Sequence, residues 1–592
     1  MIARWLTLWL TLWVLSLNAV PAWSADDSAP EAADVRLVID VSGSMKDNDS
    51  ANLRASGVRL LVDLLPDGTR AGFWTFGQQV TNPLADAEVN DRWRQRALNV
   101  LPQLTRYEQY TDLESALERV TATLDRHVTT HLIVLTDGMV DVPAVTDSDA
   151  RNRESRQRIL DELAPELADR NVVVHTIALS ENADIDLMRA LSQQTGGLAS
   201  VAPDASELLR SFLDVLNQVV PRQQLPLDNG RFEVDERVRE FTALVFHAAD
   251  EGPVTLIAPN GERLSRESPG AAQRWRHDER YDLITVPQPA SGEWRVEGPV
   301  GEGSRVLIES DLQLRSEALP ATLYQYFPLS LTVWLEGLRD ESVSALIAEL
   351  RDDRGIITTA RLTAAGQGRY RAELTGISRL GNAELRLLAR GNGFRRLLSH
   401  GVNVVPALDA QLAADQSHII LSAAREGLNS DNTQPRAALL GDPLTVGPVG
   451  EQRWRVVLPS RLPEQAVAVS LAATIDLDGT SRDIELPPVW LNSDAATSLA
   501  GLGDTTAPVD SQPMAAEAPD EAVDEHLSLD TLWPWVKTQW PQWREQAERW
   551  ALSPVAWGVL GALLLLWMVL TLMSGRRRRR RAARRRRKEP RV

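Results

Sequence analysis

Between about residues 34 and 219, four short apolar runs are separated by stretches of helical period, and no other feature constrains the fold as much. The runs are Val35–Val41, Ala71–Phe76, His131–Thr136 and Val172–Leu179. Rich in β-branched residues and almost continuously hydrophobic, they read as strands covered on both faces. Leu53–Leu65, Leu113–Leu124, Ser155–Leu167, Ile185–Gln194 and Ala205–Val219 instead carry apolar residues at helical spacing. Strand and helix in alternation predict an α/β fold, a doubly wound and mostly parallel sheet with helices on both faces. Ligands of such folds sit at the carboxyl ends of the strands, which is where chemistry should be sought.

The chain has 592 residues, and at about 150 residues per domain the remainder must hold further units. After Pro221 the pattern changes to short alternating segments with turn signals, such as Phe241–His247, Val254–Ala258 and Pro259-Asn260-Gly261, which predicts an all-β region. A weak repeat divides it. Glu293-Trp294-Arg295-Val296, Arg369-Tyr370-Arg371-Ala372 and Arg453-Trp454-Arg455-Val456 recur 76 and 84 residues apart, an interval that suits one sandwich of Ig-like size per repeat. Sandwiches are therefore expected at 228–315, 318–406 and 408–493, with each repeat aromatic in a core.

Both ends depart from this globular background. Residues 1–25 have the order of a secretory signal peptide: Arg4, an apolar run, then Ala22-Trp23-Ser24-Ala25, with cleavage after Ser24 or Ala25. Residues 494–526 read as a flexible acidic linker, and 527–552 as a Trp-rich juxtamembrane segment. Residues 554–573 contain no charge, and twenty helical residues span about 30 Å of hydrocarbon. The Arg-rich tail, 574–592, follows directly, and such clusters stay on the cytoplasmic side. The expectation is a single-pass protein of the bacterial inner membrane with its N-terminal domains in the periplasm.

Charge and composition narrow the partners. Removing the tail's net +11 from the chain's −18 leaves −29 on the exported part, which argues against nucleic acid and favours cations or basic protein surfaces. Cysteine is absent, so neither disulfides nor thiolate chemistry contribute. There is no His-Glu-x-x-His, Gly-x-Ser-x-Gly or P-loop pattern, and the eight histidines do not cluster at metal spacing along the sequence. His175 reads as a core or strand-end residue. No enzymatic activity is expected.

The first strand ends in Asp40-Val41-Ser42-Gly43-Ser44, a carboxylate and two hydroxyls on one turn. Hard oxygen ligands of this kind suit Mg²⁺, Mn²⁺ or Ca²⁺, although Ser-Gly-Ser is also ordinary turn chemistry. Thr111 stands at a loop-to-helix entry, where it could cap the helix at Leu113. Asp137, before Gly138, ends a separate strand on the same edge of the sheet.

The ordered set Asp40-x-Ser42-x-Ser44, Thr111 and Asp137-Gly138 resembles the metal-ion-dependent adhesion site of von Willebrand factor A domains. Thr195-Gly196-Gly197 and Ser200-Val201 resemble that fold's closing segment. The resemblance covers residues 34–219. It implies a divalent metal, Mg²⁺ first, contacted directly by Ser42, Ser44 and Thr111 and through ordered water by Asp40 and Asp137, with a protein partner's acidic side chain completing the coordination. The whole arrangement is similar to gammaproteobacterial membrane proteins that contain such a domain, and Phe232–Thr242 resembles the stretch that follows the domain there. Two functional expectations result: metal-dependent protein binding at the envelope, or a scaffold or signalling subunit of an envelope complex acting through its Arg-rich tail.

Overall fold

The computed structural model describes residues 33–492, except 50–51, 126, 144–146, 249–250, 269, 271, 339–342, 414, 464 and 478. The expected signal peptide, acidic linker, Trp-rich segment, membrane span and Arg-rich tail lie outside the described residues. Among the described residues, no helix is long and apolar enough to cross a membrane.

The first domain is built on a six-stranded sheet. In chain order the strands are β1 (Asp34–Asp40), β2 (Arg70–Phe76), β3 (Thr81–Glu88), β4 (Thr130–Thr136), β5 (Val172–Ala178) and β6 (Ala199–Val201). They lie in the order β3-β2-β1-β4-β5-β6. β3 runs antiparallel at the edge, and the other pairings are parallel. The strands expected from sequence thus form the parallel-rich centre. The main helices are α1 (Met45–Asn48), α2 (Leu53–Leu64), α3 (Asp91–Val100), α4 (Leu113–Val120), α5 (Ser148–Arg158), α6 (Ala164–Asp169), α7 (Ile185–Gln194) and α8 (Ala205–Val219).

Alternating strand side chains feed two cores, because successive residues of a strand point to opposite faces. Val35, Leu37 and Ile39 pack with Val58 and Leu61 of α2 and with Leu208 and Phe212 of α8. Val38, Leu132 and Val134 pack with Leu113 and Leu117 of α4 and with Leu187 and Leu191 of α7. Each layer is therefore fixed by the strand period. The stretch expected as one helix over Ser155–Leu167 is instead α5, a π turn at Ile159–Leu163 and α6. Pro165 in the first turn of α6 explains the break, since proline cannot donate into the preceding turn.

The rest of the described chain is mostly antiparallel β structure arranged in five further sheets, with Thr322–Tyr324 pairing parallel to Phe394–Val405. A ten-stranded sheet runs through both 228–315 and 318–406. Gln223–Leu225 joins the two halves by pairing with Arg305–Ser310 on one side and Phe394–Val405 on the other. Buried Arg396 reinforces the join. Its guanidinium binds both carboxylate oxygens of Asp235 and donates to the Leu312 carbonyl and Ser310 Oγ. Residues 408–491 form two four-stranded sheets of their own. Of the repeat aromatics, Trp294 and Trp454 are buried core residues, and Tyr370 packs partly buried against a core.

The α/β domain rests on this β region. Leu244, Phe246, Tyr281, Leu283 and Leu307 of the ten-stranded sheet share a core with α2 and α8. Asp278 binds Arg59 of α2 at 2.7 Å, and Arg276 pairs with Asp63 of the same helix.

The approach of α2 to α8 depends on Gly57, where an added Cβ would lie 2.3 Å from Phe212 Cε2. Alanine in place of glycine ordinarily favours a helix by about 1 kcal/mol. Here overpacking dominates, and Gly57→Ala is expected to destabilise by about 1–3 kcal/mol. A lower thermal midpoint for the variant would bear this out, and an unchanged or raised midpoint would contradict the packing.

Candidate metal centre

β1 and β4 are adjacent and parallel, with Ile39 opposite Leu135. Both strands end at the same level, so the turns that follow them meet. Asp40 is the last residue of β1 and is fully buried. Its Oδ1 accepts the Ser42 N–H at 2.7 Å, and its Oδ2 accepts the Thr136 hydroxyl. Ser44 Oγ donates to Asp137 Oδ1 at 2.8 Å and lies 3.0 Å from Ser42 Oγ. A hydroxyl has one proton, so Ser42 must be the donor to Ser44. Asn48 Nδ2 holds the other oxygen of Asp137 at 3.0 Å.

Thr111 reaches the same point from a third segment. Its backbone exchanges hydrogen bonds of 2.7 and 3.2 Å with Asp141, just beyond Asp137. A Cβ built on Gly138 would lie 3.4 Å from Thr111 Oγ1 and 3.5 Å from Ser44 Oγ, so both hydroxyls border one small space that glycine leaves open. The capping role a Thr could play here falls to Asp112, whose carboxylate accepts the Ser115 N–H at 3.0 Å. Tyr110, immediately before Thr111, has φ of 68°. A bulky residue rarely adopts that conformation, and strain of this kind collects at ligand sites.

All five residues expected from sequence are therefore brought to one edge of the sheet. Three more support them: Thr136 and Asn48 through the two carboxylates, and Tyr110 through the backbone turn. Thr136 adjoins Asp137 in sequence, but its role depends on β1–β4 register; Asn48 faces Asp137 because the short α1 follows the Ser-Gly-Ser turn. The donor set contains only oxygen, which fits a hard divalent cation. Spacing agrees: adjacent ligand oxygens of an octahedral Mg²⁺ site with bonds of about 2.1 Å lie about 3.0 Å apart, which is the separation of Ser42 Oγ and Ser44 Oγ, 3.0 Å.

The model of the von Willebrand factor type A domain family matches residues 34–214. Those residues are a von Willebrand factor type A domain. Solved structures similar to this chain include a von Willebrand factor type A protein from Catenulispora acidiphila, at 14% identity, 64% of this chain, 67% of that chain and a TM-score of 0.26. Another is an aerotolerance-related membrane protein from Bacteroides fragilis NCTC 9343 bearing multiple mutations to serines, at 14% identity, 31% and 99% coverage and a TM-score of 0.25. A third is proximal thread matrix protein 1 from the mussel byssus with zinc in its MIDAS motif, at 17% identity, 31% and 45% coverage and a TM-score of 0.26. No curated protein matches the chain.

Within this A domain, burial pushes the Asp40 carboxyl up from 3.8 to about 7, with the Thr136 and Ser42 hydrogen bonds opposing the shift. The sign of the resulting pH dependence is fixed. Below pH 4 Asp40 is protonated in both the folded and unfolded chain. Between pH 4 and 7 the unfolded chain ionises while the fold resists, a cost on the order of 4 kcal/mol without cation. A divalent cation stabilises the ionised form and opposes that cost. The rise in thermal midpoint given by Mg²⁺ should thus be larger at pH 8 than at pH 5.5, and Asp40→Asn should flatten the dependence. Equal increments at both pH values would contradict the assignment.

Proposed function

We propose that this protein is an envelope-anchored binding protein whose A domain captures a protein partner through a divalent cation. Ser42, Ser44 and Thr111 hold the ion, Asp40 and Asp137 stand behind them, and a carboxylate of the partner completes the coordination. The observation that carries the reading is the convergence of Ser44 and Thr111 on one space bordered by Gly138, with Ser42 and Asp137 hydrogen-bonded to Ser44. A domains typically mediate protein–protein interactions, and the surroundings suit that use. Gly43 and Ser44 are exposed, and Met139, 56% exposed, stands beside the site, where an apolar contact could add to the ionic one.

The protein acts by binding rather than by catalysis. The apolar segment 554–573 and its flanking arginines support a single span with the A domain outside the cytoplasm. Mg²⁺ is the first choice of ion, with Mn²⁺ and Ca²⁺ compatible with the same oxygen donors.

The test removes two ligands without changing the fold's apolar core. Proximity labelling from the A domain of the full-length protein in intact cells should mark a reproducible set of partners. Ser42→Ala combined with Ser44→Ala should lower that labelling at least about tenfold and abolish stabilisation by Mg²⁺. The same partners at the same yield would overturn the proposal.

A further inference from the structure

A second cluster of metal-ligating side chains lies away from the A-domain site. His247 follows the strand Val238–Phe246, His277 ends the strand Arg274–His277, and Asp282 is in the strand Tyr281–Pro287. They are separated in sequence by 30 and 5 residues, which is why no metal spacing was visible along the chain. Antiparallel pairing sets Tyr281 against Phe246 and His277 against Asp282. In space His247 and His277 come together on Asp282.

Asp282 stands between the two rings. His277 Nδ1 is 2.9 Å from its Oδ1, and His247 Nε2 is 3.1 Å from its Oδ2. The rings stack at 5.8 Å and 11°, and one ligand atom from each residue falls within 4.8 Å of the others. Tetrahedral zinc with bonds of about 2.0–2.1 Å sets its ligand atoms about 3.3 Å apart, and the two histidine–carboxylate separations of 2.9 and 3.1 Å are close to that.

The hydrogen bonds around His247 are compatible with a ligand role. His247 Nδ1 lies 3.1 Å from the Ala248 carbonyl, while its Nε2 faces the carboxylate. Both partners are acceptors, and a neutral imidazole has a single N–H. If Nδ1 donates to the carbonyl, Nε2 directs a lone pair toward Asp282, an arrangement that a metal ion between them satisfies. A ligating histidine characteristically donates its other N–H to a carbonyl in this way, and ligating carboxylates are themselves hydrogen-bonded. Trp275 Nε1 supplies that bond, donating to Asp282 Oδ1 at 2.8 Å. Of the neighbouring charges, Asp278 is paired with Arg59 and Asp63 with Arg276.

We infer that His247, His277 and Asp282 form a second metal site, selective for a borderline transition metal such as Zn²⁺, with a coordination position open to solvent. Two imidazoles and a carboxylate distinguish it from the oxygen-only centre of the A domain. The His247 and Asp282 side chains are each 6% exposed, while that of His277 is 38% exposed, so the ion enters from the His277 side. The turn beyond His277 carries Asp278, which binds α2. Metal there braces the hairpin on which the A domain rests.

Zn²⁺ titration of the full-length protein against a chromophoric competitor tests this, in the Ser42→Ala, Ser44→Ala background so that the A-domain site does not contribute. One equivalent should bind. His277→Ala, at a partly exposed position, should weaken that affinity at least about tenfold. Trp275→Phe keeps every ligand and removes only the bond to Asp282, so a loss of about tenfold is expected from it as well. Absence of a bound equivalent in the background protein, or unchanged affinity in both variants, would overturn the inference.

Discussion

Asp40 ends the central strand of the A domain with a carboxyl group that water does not reach, and the site is organised by the need to compensate it. Leaving a charge unpaired at such depth is costly. The fold answers with the Ser42 backbone and the Thr136 hydroxyl, and burial still pushes the carboxyl up to about 7. Protonation is one solution, and a divalent cation is the other. The Ser42–Ser44–Asp137 chain and the nearby Thr111 hydroxyl make the second available at the same sheet edge.

This edge is displayed by a support that is more continuous than a string of separate modules. A three-residue strand, Gln223–Leu225, carries one sheet from the first β unit into the second. Arg396 fastens the same junction through Asp235. The A domain shares apolar core with that sheet through α2 and α8. These contacts link the helical layer behind the site to the β region, while the ligand edge retains the exposed Ser44 and Met139.

Much of the A domain was legible in the sequence because short, continuously apolar strands leave few alternatives. Val35–Val41 was read within one residue of β1, and the bounds of α7 and α8 matched those read from their apolar period. β3 was missed because Thr81–Glu88 is a polar edge strand containing Pro83, with little to bury. α3 was missed for a similar reason, since only Trp93, Ala97 and Val100 are buried in it. The five candidate residues stand out in the sequence because each sits at a strand end or helix entry in a set order, and the structure places them at one sheet edge. Asn48, Thr136, the Gln223–Leu225 junction and the His247–His277–Asp282 cluster depend on register between distant segments, which one-dimensional spacing does not encode.

If oxygen ligands from three segments form one divalent-cation centre in the A domain, a bound ion must sit between them. Anomalous scattering from crystals of the protein grown with Mn²⁺ would test it most directly. A Mn²⁺ peak is expected within bonding distance of Ser42 Oγ, Ser44 Oγ and Thr111 Oγ1. A fully loaded crystal with no peak between those hydroxyls, and Mn²⁺ bound elsewhere, would contradict it.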